Sequence, residues 1–285
     1  MTLASAKPDW TTRRIRRGLV RMVLMAAREA GADVDRVLAG TNVTAEQIEG
    51  GAESLPFEVL YRLAKALPDE GRGGAGLEVA ARTPVTIHGA VGAAVSACES
   101  LGEALRTIAA LGGAPARVLR CRLDVGQDFA DLTMTTEFDL GDVATFVLEA
   151  DAVLVARLLE AAVGKEIAGL EFELPGPAPA WAELYAQRLP GRIVFGAGAL
   201  RIRTPTSQLA LRCVAADPRV REAALREWRR EADEVEAATH GDLASLVRSR
   251  LARGGEAYPD LETIARSLAV SPRTLIRRLK DKGLR

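Results

Sequence analysis

The stretch Pro259-Asp-Leu-Glu-Thr-Ile-Ala-Arg-Ser-Leu-Ala-Val-Ser-Pro-Arg-Thr-Leu-Ile-Arg-Arg-Leu-Lys-Asp-Lys-Gly283 carries two short helical periods split by a turn. In the first, Leu261, Ile264, Ala265 and Leu268 share one face, and the small Ala265 lets a second helix cross closely. Ala269, Val270 and Ser271 make the turn; Ser271 suits an N-cap and Pro272 the first helical position. Leu275 and Leu279 then repeat at i, i+4. At about 100° per residue from Arg273, these leucines fall near 200° and 240°, whereas Arg277 falls near 40°, Ile276 near 300° and Lys280 near 340°. The basic residues therefore oppose the packing face, as a helix lying in a DNA major groove requires. Arg273 and Arg277 are placed for guanine edges, Ile276 for a thymine methyl, and Arg278 with Lys282 for phosphates. The expected DNA-facing set is Ser271, Arg273, Thr274, Ile276, Arg277, Arg278 and Lys280.

Charge agrees with that reading. The 285 residues carry 38 basic and 38 acidic side chains. From Leu246 to Arg285, ten basic residues less four acidic ones give +6, and since the whole is neutral the remainder carries −6. Such asymmetry points to a nucleic-acid module on a mildly acidic body.

Composition removes several other classes. Cys98, Cys121 and Cys213 form no CxxC pair, which argues against a disulfide-stapled scaffold or a thiolate zinc cluster and favours a cytoplasmic setting. Only His88 and His240 are available as imidazole ligands, and no HExxH occurs, so no metal or cofactor is expected. Arg13, Arg14, Arg16 and Arg17 precede an apolar stretch, but Arg21 interrupts it, and Ile15, Leu19, Met22, Val23, Ala26 and Ala30 describe an amphipathic helix instead of a signal sequence. Val143 to Gly164 contains Glu149, Asp151, Arg157 and Glu160, which excludes an ordinary membrane span.

Residues 1 to 112 read as helices almost throughout, with a capping box at Thr44 and Gln47 and a first-turn proline at Pro56. Alternation from Arg117 to Leu123 and from Phe129 to Phe138 predicts strands. A long helix follows from Asp142 to Gly164, then a strand over Ala168 to Leu174 and a helix over Pro179 to Leu189. Arg192 to Phe195 and Leu200 to Thr204 predict a hairpin across Gly196 to Gly198. The fold class is therefore α+β: a helical N-terminal region packed with a mainly antiparallel sheet, followed by an all-α helix-turn-helix segment. The expected divisions are a sensing domain over 1–210, a connecting helix over 211–241 and the DNA-binding segment over 242–285. Asp217 and Pro218 open the connecting helix, whose narrow stripe of Val220, Ala224, Trp228, Ala232 and Val235 suits packing on its own domain or a homodimer seam.

No GxSxG elbow or other catalytic constellation is present, so an enzyme is not expected. Within the body the candidate effector-binding residues are His88, in Thr86-Ile-His-Gly89, and Arg120 with Arg122, which share one strand face and could clamp a carboxylate or phosphate.

The string Ser271-Pro-Arg-Thr-Leu-Ile-Arg-Arg-Leu279 resembles the first helix-turn-helix of AraC/XylS-type transcriptional regulators, in the subgroup with an arabinose-binding-type N-terminal domain. Gly31-Ala-Asp33, Leu55-Pro56, Gly89 to Gly92 and Ser100-Leu-Gly-Glu-Ala-Leu105 occur in similar order in that subgroup. The resemblance implies a cytoplasmic bacterial regulator whose N-terminal domain binds an unknown small-molecule effector and whose C-terminal part binds promoter DNA. Members of the family carry two helix-turn-helix units, and only the first lies before Arg285, so one reader alone implies weak, salt-sensitive DNA binding. The alternative is a sensing or dimerisation module that acts through protein partners without DNA binding of its own.

Overall fold

A computed structural model describes residues 13–50, 54–67, 73–112, 118–240, 247, 260–267 and 272–280. The chain divides into two compact units, Met1–Leu225 and Arg226–Arg285. The division falls inside the connecting helix.

The first unit begins with strand β1 (Arg14–Arg16) and helix α1 (Arg17–Glu29), then α2 (Val34–Leu38), α3 (Ala45–Gly50), β2 (Ser54–Pro56) and α4 (Phe57–Lys65). The reading of helices almost throughout misses a short sheet here, in which β1 pairs antiparallel with β2, Ile15 facing Leu55. Ile15 thus belongs to a strand, and α1 starts later than its apolar spacing suggests. Its buried face is Val20, Val23, Leu24 and Ala27, while Met25 is exposed; of the expected stripe only Val23 is fully buried. Val34–Leu38 is capped by Asp33, whose carboxylate accepts the Arg36 N–H. The Thr44–Gln47 capping box forms in both directions, at 2.9 and 3.3 Å. These helices and the start of the later long helix share one apolar core that includes Leu24, Ile48, Phe57, Leu63 and Phe146.

Helices α5 (Ala75–Arg82), α6 (Gly89–Ser96) and α7 (Leu101–Gly112) lead to the hairpin β3 (Leu119–Val125) and β4 (Phe129–Thr136), then to the long helix α8 (Ala144–Val163). α8 grips α5 by both ends. Arg157 donates to the carbonyls of Ala80 (2.8 Å), Ala81 (2.7 Å) and Thr83 (2.6 Å), while two turns earlier Glu149 lies at the first turn of α5. An acid at the positive end and a guanidinium at the negative end of one helix both complement its dipole. Close packing here depends on Gly76, since a Cβ there would sit 2.3 Å from the Phe146 carbonyl.

The chain continues through β5 (Glu171–Pro175), α9 (Ala182–Arg188), β6 (Arg192–Ala197) and β7 (Leu200–Pro205). The five-stranded sheet has the order β3-β4-β7-β5-β6, antiparallel except for the parallel β5–β6 pair. The expected β6–β7 hairpin is therefore wrong: the two strands flank β5 on opposite sides. Their connection steps over the end of β5, where Pro175 has no N–H to extend the ladder and Gly196 donates to the Gly176 carbonyl at 2.6 Å. Two short runs around a glycine turn look alike in sequence whether they pair with each other or with a third strand. The inner face of the sheet, with Leu132, Met134, Phe172, Leu200 and Ile202, is buried. Its outer face is a lattice of ion pairs centred on Arg203, which meets Asp131 at 3.1 Å and Glu171 at 3.2 Å and lies over the Phe129 ring.

The exit strap pairs with the segment before α7, through Leu101 N–H to Leu211 O and Cys213 N–H to Glu99 O. Helix α10 (Pro218–His240) follows, with Asp217 Oδ1 accepting from the N–H groups of Arg219 and Val220. Ala224 of its expected stripe is buried, whereas Val220 is exposed. Among the described residues no helix is long and apolar enough to cross a membrane. In the second unit, helices α11 (Leu261–Ser267) and α12 (Pro272–Lys280) form a pair.

Candidate functional site

The α11–α12 pair is held by Ile264, Ala265 and Leu275, all buried, with Val247 and Leu279 packed against them. Ala265 has no exposure, as expected of the small residue at a helix crossing. Leu261, expected on the same inward face, is instead 40% exposed, because it opens the helix one turn away from the crossing. On α12 the face opposite Leu275 is solvent-facing: Arg273, Ile276, Arg277 and Lys280 are all exposed. Among the described residues none of these three cations is paired with a carboxylate. Ser271 and the turn lie outside the described residues, as do the side chains of Thr274 and Arg278, although both stand on α12.

The three body residues singled out as effector ligands belong to two places. Arg120 and Arg122 project from the solvent face of β3 with 70% and 77% exposure, and each already holds a carboxylate. Arg120 donates to Glu137 at 2.8 Å, and Arg122 lies 2.7 Å from Asp124. His88 ends the short 3₁₀ turn Val85–His88 that leads into α6, half-buried, with its Cβ against Gly92. It is therefore on a different element from the arginines.

A polar group that sequence reasoning passed over lies deeper. Glu149, on α8, is 1% exposed. Its Oε1 accepts hydrogen bonds from Trp181 Nε1 (2.8 Å) and from the Tyr185 hydroxyl (2.7 Å), both presented by the α9 region. Burial raises the pKa of Glu149, and hydrogen bonds from Tyr185, Trp181 and the N–H groups of Gly76 and Leu77 offset part of that rise. Burial and the neighbouring carboxylate also push the Tyr185 phenol above its ordinary value, so it remains a neutral donor. Among the described residues no lysine or arginine pairs with Glu149. The one signal in the sequence was that Glu149 is among four charged residues, with Asp151, Arg157 and Glu160, in the mostly apolar run of α8, a pattern that equally fits a solvated helix face.

Other chemistry is sparse. No group of three His, Cys, Asp or Glu side chains is placed to hold a metal among the described residues. Burial pushes the Cys213 thiol up to about 11, well above the range of an activated nucleophile.

The sequence matches the family described as the arabinose-binding domain of AraC transcription regulators, N-terminal, over residues 31–213, which is more than half of the chain. No curated protein matches. Among solved structures, the transcriptional regulator CdpR from Pseudomonas aeruginosa is similar in fold, with a TM-score of 0.52 at 20% identity, covering 88% of this chain and 78% of that one.

Proposed function

Because the chain belongs to the family of AraC transcription regulators with the arabinose-binding N-terminal domain, we propose that it regulates transcription by binding DNA through α12 and that the first unit controls this by binding a small molecule. The observation that carries the DNA-binding part is the disposition of α12. Leu275 is buried against Ile264 and Ala265, and Arg273, Ile276, Arg277 and Lys280 are left on the open face. A helix can read base edges only with donors on the side away from its packing partner. The setting that follows is the bacterial cytoplasm, and the action is binding, without catalysis.

Selection of genomic fragments by the purified chain, followed by anisotropy titrations at several salt concentrations, tests this reading. The expected result is enrichment of a short motif, with affinity that falls steeply as salt rises through released counterions. Enrichment that survives replacement of Arg273 and Arg277 by alanine would remove α12 from the interface. No enrichment at any salt concentration would turn the reading toward a module that works through protein partners.

A further inference from the structure

At the junction of α5, α8 and α9 a carboxylate is buried, and its partners among the described residues are all neutral. Glu149 Oε1 is held by an indole N–H and a phenol. Of the described guanidinium groups near this junction, Arg157 caps the carbonyls at the end of α5 and Arg188 pairs with Glu78 at 2.9 Å. A buried carboxyl group without a counter-charge must take up a proton or be supplied with a cation, and such groups concentrate at functional sites.

Trp181 is the more exposed of the two side-chain partners of Glu149. This ring is half-buried and lies on bare backbone: a Cβ on Gly73 would come within 2.6 Å of it, and one on Gly74 within 3.2 Å. The other partner, Tyr185, meets Phe195 edge to face at 5.3 Å.

We infer that this junction receives an organic cation, a primary amine or a quaternary ammonium, whose charge Glu149 neutralises and whose alkyl part packs on Trp181 and Tyr185. The inference rests on the effector-binding reading above and specifies the chemical class of effector. The cation takes the place of the indole N–H at Oε1, and the rings add the attraction of their π faces for positive charge. The carboxylate repels an anionic ligand, and a neutral polyol leaves the buried charge uncompensated. The site also has a route outward: α8 ends where Ala162 O accepts the Val214 N–H at 2.8 Å, in the strap that leads to Asp217 and the start of α10.

The test uses the full chain with tetramethylammonium, butylamine and putrescine. Butanol and butyrate serve as neutral and anionic controls, and sodium chloride matches ionic strength. Cations are expected to raise the melting temperature by a few degrees and to change tryptophan fluorescence saturably. Their affinity should fall as pH is lowered and Glu149 takes up a proton, since the Tyr185 phenol stays neutral throughout and the Glu78–Arg188 pair stands at the exposed side of the junction. Glu149→Gln should weaken the response at least tenfold. Trp181→Phe, which keeps charge and ring but removes the competing donor, should bind at least as tightly as the wild type. No saturable response to any cation, or an equal response in Glu149→Gln, overturns the assignment. If that variant does not fold, a pH-independent cation affinity in the wild type and in Trp181→Phe overturns it as well. A response to butyrate or butanol alone overturns the cation assignment and leaves the effector reading standing, whereas silence to all three classes counts against both.

Discussion

Arg120 and Arg122 on β3 and Arg273 and Arg277 on α12 are all exposed arginines that the sequence marks for contact, the first two with an anion and the last two with guanine edges, yet their surroundings in the fold differ. The β3 pair is already engaged by Glu137 and Asp124, and the neighbouring strands repeat the habit with Arg201–Glu173 and Arg203–Asp131. On α12 the described residues supply no such carboxylates, and Arg273, Arg277 and Lys280 are exposed. Spacing on a face reports where a cation points. Whether it is available depends on which strand or helix lies alongside, and that is a property of the fold. A third case inverts the second: Glu149 has no cation beside it among the described residues either, but it is buried instead of exposed, and burial raises its pKa.

The sharpest way to break this contrast is at α12. Replacing Arg277 by alanine should cost about 1–3 kcal/mol in binding to the preferred DNA site and relax preference at one base pair, and adding Arg273→Ala should cost a similar amount again. Lys280→Ala should act evenly over sequences and reduce the slope of log affinity against log salt by about 1. Titrations of the three variants on matched and scrambled sites check this. If both arginine variants lost affinity equally on every sequence, the α12 arginines would be phosphate contacts and not base readers.

Glu149 gives the next largest effect. Its folded-state pKa is raised above the unfolded value, so the native state holds the proton more tightly. The stabilisation from this proton is complete below the unfolded carboxyl pKa and is lost as pH rises through the raised native value. Glu149→Gln removes that dependence. The stability difference, variant minus wild type, should therefore grow in favour of the variant between about pH 4.5 and the raised pKa and level off above it. Urea denaturation of both proteins across this range is the measurement. A difference that moved the other way would mean that the amides of Gly76 and Leu77, with Trp181 and Tyr185, stabilise the anion by more than its burial costs.

These contrasts also separate what sequence can reveal from what it cannot. The α11–α12 pair was legible because its determinants are local: Leu275 and Leu279 repeat within one turn, Ala265 sits where helices cross, and the facing cations follow from 100° per residue. The α+β class, the long α8 and the strands β3, β4 and β5 were legible for the same reason. Partner choice was not: β6 and β7 carry alternation that is correct strand by strand, but pairing each with β5 is decided by contacts far along the chain. The β1–β2 pair shows the same limit, since three residues at each end give no periodic signal, and missing it displaced the apolar stripe of α1. The Glu149 cluster was the least legible, because it unites an acid on α8 with Trp181 and Tyr185 from a separate element. Nothing in the local pattern of either segment marks them as facing each other.

The smallest expected effect falls on the β3 arginines. If Arg120 and Arg122 are used up in pairs with Glu137 and Asp124, replacing both by alanine should change stability by no more than about 1 kcal/mol per pair, because exposed ion pairs exchange solvation for a weak, salt-screened attraction. The loss should shrink further as ionic strength rises. It should leave untouched both the response of the first unit to small molecules and the DNA affinity measured with α12 intact. Melting curves at low and high salt, together with ligand-induced shifts in wild type and double variant, make the comparison direct. A double variant that melted as the wild type does but no longer responded to butyrate or phosphate would show that the two guanidinium groups leave their carboxylates to clamp an anion. Ion pairing in the unliganded sheet would then be a resting state of the sensor, and the line drawn between engaged and available arginines would have to be moved to include β3.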